Sequence, residues 1–237
     1  MAVVVVTGAS RGSGAETAVA LGARGHDVVV NYREKARRAE QVCQRVRAAG
    51  GRAIAVGADV TAEHGPSALF DAAIAEFGRF DAVVLNASGG LELGADEGYA
   101  MRLNRDAQVA AARAASERLS PGGRVVFVTS HQAHFSRTHA VPEGYEPIAA
   151  SKLAGEQALR ELAATSGLDL RVVSGDMIDG TIVVRLLERR DPAAVQARRA
   201  HGPLPTIDEF AAAIADAVES EAPSGGTTYV GGADYLG

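Results

Sequence analysis

With 237 residues, 47% of them hydrophobic and 22% charged, the chain can bury one large core and lies outside the composition of disordered or many-module proteins. A net charge of −5 without a basic stripe argues against nucleic acid as a partner, and no apolar run approaches the ~20 residues of a membrane span. The single cysteine, Cys43, excludes an intrachain disulfide and a multi-cysteine metal site; with no targeting segment before the first apolar run, a cytoplasmic location is expected.

In chain order, β-branched runs predict strands at Val3–Val6, Asp27–Asn31, Ala53–Gly57, Asp81–Leu85, Arg124–Thr129, Asp169–Ser174 and Thr227–Val230. Helical patterns alternate with them. One runs from Gly12 to about Arg24, and in another Ala39, Val42, Cys43 and Val46 recur at helical spacing. Others cover about Asn104–Arg118 and Ala149–Ala164, and Ile207, Phe210, Ile214 and Val218 mark the last. Near-continuous Val/Ile strands joined by helices predict a doubly wound α/β domain, a seven-stranded parallel sheet covered on both faces and filling residues 1–237. Three segments read as irregular, Gly89–Gly98, His131–Pro147 and Asp176–Pro205, and the last two follow strands at the edge where such sheets bind ligands.

The strongest local pattern is Thr7-Gly8-Ala9-Ser10-Arg11-Gly12-Ser13-Gly14, a glycine-rich turn between the first strand and the first helix. Glycines at 8, 12 and 14 permit a tight turn and close backbone approach, and the helix N-terminus offers unpaired N–H groups to a pyrophosphate. The second strand ends in Asn31-Tyr32-Arg33, without the acidic residue that would take a free ribose 2′-hydroxyl. Arg11 and Arg33 can instead pair with a 2′-phosphate, so NADP(H) is the expected cofactor.

With Asp59-Val60 after the third strand, Asn86-Ala87-Ser88-Gly89 after the fourth, and Asn104, Ser130 and Lys152 in that order, the chain resembles the short-chain dehydrogenase/reductase family over nearly its whole length. The resemblance implies a Rossmann-like fold in which Asp59 and Val60 contact the adenine and Asn86, Ala87 and Ser88 line the cofactor. By the same resemblance Lys152 binds the nicotinamide ribose, Asn104 organises a water near it, and Gly175 and Met177 pass beside the nicotinamide. Ser130, Lys152 and Asn104 are the catalytic candidates. The family's Tyr-x-x-x-Lys is broken, because Ile148 stands four residues before Lys152, where only that position shares the lysine's helical face. Tyr145 precedes the lysine by seven residues, with Pro147 between them, and could supply a proton only by another route.

Hydride transfer to a ketone still requires something to protonate or stabilise the alkoxide. A substrate with a phenol beside the carbonyl, as aromatic polyketides offer, supplies its own donor; the chain's similarity to tyrosine-lacking ketoreductases of the family implies an atypical ketoreductase of a bulky aromatic polyketide ketone, angucyclinone-like, in antibiotic biosynthesis. Two alternatives stand beside this: a silent NADP-binding sensor, and an ordinary reductase with Tyr145 as acid. Val183, Val184, Leu186 and Leu187, set among arginines, predict a substrate lid near 178–206. His131 is a candidate for substrate positioning together with Tyr145 and Ile148, while the run of His131, His134 and His139 lacks a recognised metal-ligand spacing, so no metal is expected. Alanine-rich faces on the helices near 104–118 and 149–164 fit a homo-oligomer.

Overall fold

Successive side chains of a strand point to opposite faces, and here both sets are apolar. The computed structural model describes residues 1–90, 96 and 98–232. Its strands are β1 (Val3–Val6), β2 (Asp27–Tyr32), β3 (Ala53–Gly57), β4 (Ala82–Leu85), β5 (Arg124–Ser130), β6 (Asp169–Gly175) and β7 (Thr227–Val230). The helices are α1 (Gly12–Ala23), α2 (Ala36–Ala48), α3 (Gly65–Phe77), α4 (Tyr99–Met101), α5 (Ala107–Ser116), α6 (His131–His134), α7 (Glu146–Ser166), α8 (Ile182–Arg190), α9 (Pro192–Ala200) and α10 (Ile207–Glu219). Val4, Val6, Val28, Val30 and Val84 enter one core, with Leu21 of α1, Val46 of α2 and Ile214 of α10. Val3, Val5, Val29, Val83 and Leu85 enter the other, with Phe70 of α3, Ala111 of α5 and Leu159 of α7.

All seven strands are parallel, in the order β3-β2-β1-β4-β5-β6-β7. The chain therefore winds outward in one direction from β1 and in the other from β4, leaving a crevice at the carboxyl ends of those two strands. A third, smaller core lies beyond that edge, where Tyr145 and Ile148 meet Met177, Val184, Leu187 and Val195. No described helix is long and apolar enough to cross a membrane.

Several predicted boundaries shift for identifiable reasons. Strand β4 begins at Ala82, because the Asp81 carboxylate accepts from Val3 N–H at 2.8 Å and pairs with Arg79. The helix expected from Asn104 opens instead with a π-helical turn, Arg102–Asp106, before α5, and Gln108 Nε2 donates to the Leu103 carbonyl inside it at 2.9 Å. Helix α7 starts earlier than expected, at Glu146, since Pro147 falls in its first turn, where the missing N–H is harmless. The segment 176–205 is largely helical, with Thr181 and Asp191 capping α8 and α9. Residues 91–95 and 97 of the expected irregular stretch Gly89–Gly98 lie outside the described residues.

Gly155 of α7 passes so close to the π-helical turn that an added Cβ would overlap the Asn104 carbonyl oxygen. Gly155→Ala is expected to lower stability by about 1–3 kcal/mol through overpacking. Urea unfolding of the two proteins checks this, and an unchanged midpoint would mean that α7 can withdraw from the turn freely.

Candidate active site

The turn after β1 sets the geometry of the crevice. Gly8 has φ +63°, and an added Cβ there would come within 2.9 Å of Ala87 Cα, so only glycine lets the turn lie against the loop after β4. Thr7 joins the same two segments: its hydroxyl accepts from the N–H groups of Asn86 and Ala87, both at 3.0 Å. Asn86 answers through its amide, donating to the Thr7 carbonyl at 2.9 Å and accepting from the Ser13 hydroxyl at 2.9 Å. No side chain caps the first turn of α1 and none of its residues is acidic, which leaves its N–H groups and positive dipole end directed at the crevice.

Asn31, expected to face the cofactor's 2′ group, is turned inward and is 2% exposed. Its Oδ1 accepts from Gly8 N–H at 3.1 Å and its Nδ2 donates to the Ala58 carbonyl at 3.0 Å, so the side chain is consumed in bracing the glycine turn against β3. Arg33 is exposed, and its guanidinium donates to the Tyr99 hydroxyl at 2.8 Å, reaching from the end of β2 to α4. Asp59 caps its own turn by accepting from Thr61 N–H at 2.9 Å, and Val60 packs with Leu103 and Ala107.

At the other end of the crevice Asn104 is fully engaged: it donates to the Gly89 carbonyl and to the Ser151 hydroxyl, each at 2.9 Å, and accepts from Gly89 N–H at 3.2 Å. Lys152 lies in the crevice wall with its Nζ 3.4 Å from the Val128 carbonyl, and burial lowers its pKa to about 8. Ile148 fills the place one helical turn before it with an apolar side chain. Tyr145, at the N-cap of α7, shares that helical face and sets its hydroxyl 3.3 Å from Ser130 Oγ. Burial raises the phenol's pKa, partly opposed by the bond with Ser130, so the hydroxyl is protonated at neutral pH.

One cavity of about 710 Å³ connects these groups, running from Arg11 and Arg33 past Asn86 to Ser130, Tyr145 and Lys152. Ser10, Gly12, Tyr32, Ser88, Gly175 and Met177 also line it. Helix α8 covers the far end with Val183, Val184, Leu186 and Leu187, which gives that end an apolar wall. Asp191 ties this cover to the segment bearing Tyr145: it caps α9 through Ala194 N–H at 3.0 Å and accepts from Glu143 N–H at 3.2 Å. The positive-φ turn, uncapped helix start and neighbouring arginines fit a dinucleotide, with the buried lysine at the opposite end of the cavity.

His131 departs from expectation. The residue after Ser130 points to the opposite side, where its ring is buried between Ser174 Oγ at 2.8 Å and the Gly231 carbonyl at 2.9 Å, away from the cavity. His134 pairs with Glu156 at 2.8 Å, and among the described residues no group of three His, Cys, Asp or Glu side chains could hold a metal ion. Gln132, which the sequence reading did not single out, lines the cavity, and so does Asp176, in the stretch expected beside the nicotinamide and paired with Arg198 of α9. Their short spacings from Ser130 and Gly175 placed them at the right edge, but nothing in the sequence paired Asp176 with an arginine 22 residues later.

The description "short chain dehydrogenase" belongs to a family model that matches residues 2–181. A 1-cyclohexenylcarbonyl-CoA reductase of Streptomyces collinus is 36% identical over 188 residues, 75% of this chain and 65% of that protein. The hydroxynaphthalene reductase arp2 of Aspergillus fumigatus is 36% identical over 173 residues, 70% of this chain and 61% of that protein. The chain thus spans just under two thirds of the length of these two curated relatives. Among solved structures, the angucycline C-6 ketoreductase LanV with bound NADP is 24% identical, covers 100% of this chain and 96% of its own, and superposes with a TM-score of 0.81, a likeness of fold.

A buried ammonium is costly, and the drop from 10.5 to about 8 corresponds to about 3 kcal/mol lost to the native state at neutral pH. Between pH 8 and 10.5 the unfolded chain still holds a proton that the native chain has released, so stability rises with pH across that window. Lys152→Met is therefore expected to be the more stable protein at pH 7, with its advantage shrinking towards pH 10.5. Urea titrations across that range check it, and a pH-independent difference would place the lysine's charge in water.

Proposed function

Because the chain belongs to the short chain dehydrogenase family, we propose that it is an NADPH-dependent ketoreductase acting on a bulky, hydroxylated aromatic ketone of polyketide type, angucyclinone-like in size. The observation that carries this reading is the continuous cavity, which joins a dinucleotide cradle to an apolar end through Ser130, Tyr145 and Lys152. The relative described as a hydroxynaphthalene reductase supports an aromatic substrate, and the free wall of α8 has the chemistry to pack against fused rings.

NADPH, when bound, supplies the hydride. The N–H groups at the start of α1 hold its pyrophosphate, Arg11 and Arg33 take the 2′-phosphate, and the Lys152 ammonium donates to the hydroxyls of the nicotinamide ribose. Ser130 holds the ketone oxygen by donating its hydroxyl, and Tyr145 gives the developing alkoxide its proton, then recovers one from solvent. The hydroxyl pair 3.3 Å apart favours Tyr145 as donor over a donor carried by the substrate. Seven residues of helix separate it from Lys152, about 10 Å of rise, so this phenol works without the lysine beside it. The raised pKa keeps the phenol in the protonated form that reduction uses and hinders the reverse reaction, which needs the phenolate.

NADPH oxidation by the purified protein, followed over a panel of polycyclic aromatic ketones, tests the reading. Tyr145→Phe is expected to lower kcat by about 10²–10⁴-fold with KM little changed. Loss within a few-fold, combined with strong slowing when the phenol beside the carbonyl is methylated, assigns the proton to the substrate. NADPH binding without turnover of any ketone would make the protein a sensor. Arg11→Ala is expected to weaken NADPH about tenfold more than NADH, from the lost charge-assisted contact, as calorimetry can measure; equal losses would remove the arginine from the phosphate site.

A further inference from the structure

Gln132 lies two residues beyond Ser130, is 5% exposed, and lines the cavity with Ser130, Tyr145 and Asp176. Its amide cannot turn freely. The Asp176 side chain is buried and pairs with the Arg198 guanidinium, itself only 10% exposed. The carboxylate oxygens accept from the guanidinium on one side, and the face of the amide turned to Asp176 is the NH₂: Gln132 Nε2 donates to Asp176 Oδ1 at 3.3 Å. The Gln132 oxygen must then point the other way. Among the described residues it meets no hydrogen-bond donor, and it is not one of the sealed, unpartnered polar atoms, which are on Thr17, Thr129, Asp169 and Arg171. The open space beside Gln132 is the cavity.

We infer that Gln132 determines substrate specificity by accepting, through its amide oxygen, a hydrogen bond from a hydroxyl group of the bound ketone. This rests on the ketoreductase reading and narrows its substrate to ketones carrying a hydroxyl donor near the carbonyl. A fixed acceptor discriminates strongly, because a ligand without the donor leaves the oxygen dehydrated and unpaired. Arg198 and Asp176 are positioning residues here, with the arginine on α9 setting the sense of an amide it does not touch.

The test is calorimetric binding of α-tetralone, its monohydroxy isomers and their methyl ethers to the protein loaded with NADP⁺. At least one hydroxy isomer is expected to bind about tenfold or more tightly than both its methyl ether and the parent ketone. That ratio should fall to near one in Gln132→Leu, and also in Gln132→Asn, whose shorter side chain withdraws the oxygen. Asp176→Asn separates orientation from bulk: an amide partner permits Gln132 to reverse, so the ratio should shrink with Gln132 still present. NADP⁺ affinity and the melting temperature of each variant report whether it is folded. A ratio that persists in both folded Gln132 variants, or wild-type protein that binds all the ketones alike, overturns the inference and leaves the ketoreductase reading intact. Binding of NADP⁺ but of no ketone overturns both.

Discussion

The site depends on how closely two backbone segments approach across the gap where the sheet changes direction. Gly8 and Ala87 are in contact there, Thr7 and Asn86 exchange hydrogen bonds, and Asn31 supports the turn from the β3 side. None of these groups is spare: each polar atom used to close the gap is withdrawn from any ligand. The crevice is therefore floored by backbone and glycine, and its recognition chemistry is left to N–H groups and to side chains at the rim. That division explains why Asn31 lines the cavity and yet serves the protein rather than the bound molecule.

The fold was legible because it rests on repeated, short-range patterns. Strand runs such as Val3–Val6 and the stripe Ala39, Val42, Cys43, Val46 announce their partners through periodicity, and the helix and strand order follows from them. The glycine turn was equally plain. Element ends were less so, since they turn on single contacts such as Asp81 to Val3 N–H, or on the Gln108 side chain that accompanies the extra residue in the turn before α5. A sequence carries no local sign of those.

In the site, the residue types were readable and their directions were not. His131 looked available from its place beside Ser130, but adjacent residues leaving a strand face opposite ways, and it is the serine that meets the cavity. Tyr145 presents the reverse case. Spacing against Lys152 made it look remote, whereas the early start of α7 brings it onto the helical face shared with Ile148 and Lys152 and next to Ser130. The ion pair of Asp176 with Arg198 needed the third dimension altogether, because Asp176, just past β6, and Arg198 of α9 meet only when α9 folds back to that edge.

The place of Tyr145 at the N-cap alters what fixes it. A side chain within a helix keeps a constant vector to every other residue of that helix, whereas one at the cap inherits its reach from the chain that leads into it. Here that chain is moored by Asp191, which holds Glu143 N–H and begins α9 with the same carboxylate. The hydroxyl beside Ser130 and the apolar cover of the cavity thus share one tether, and neither can be displaced as a rigid body without drawing on the other. Lys152 has no part in that tether, so under the proposed function the group that holds the ribose and the group that gives up the proton are fixed by separate contacts and can be altered one at a time.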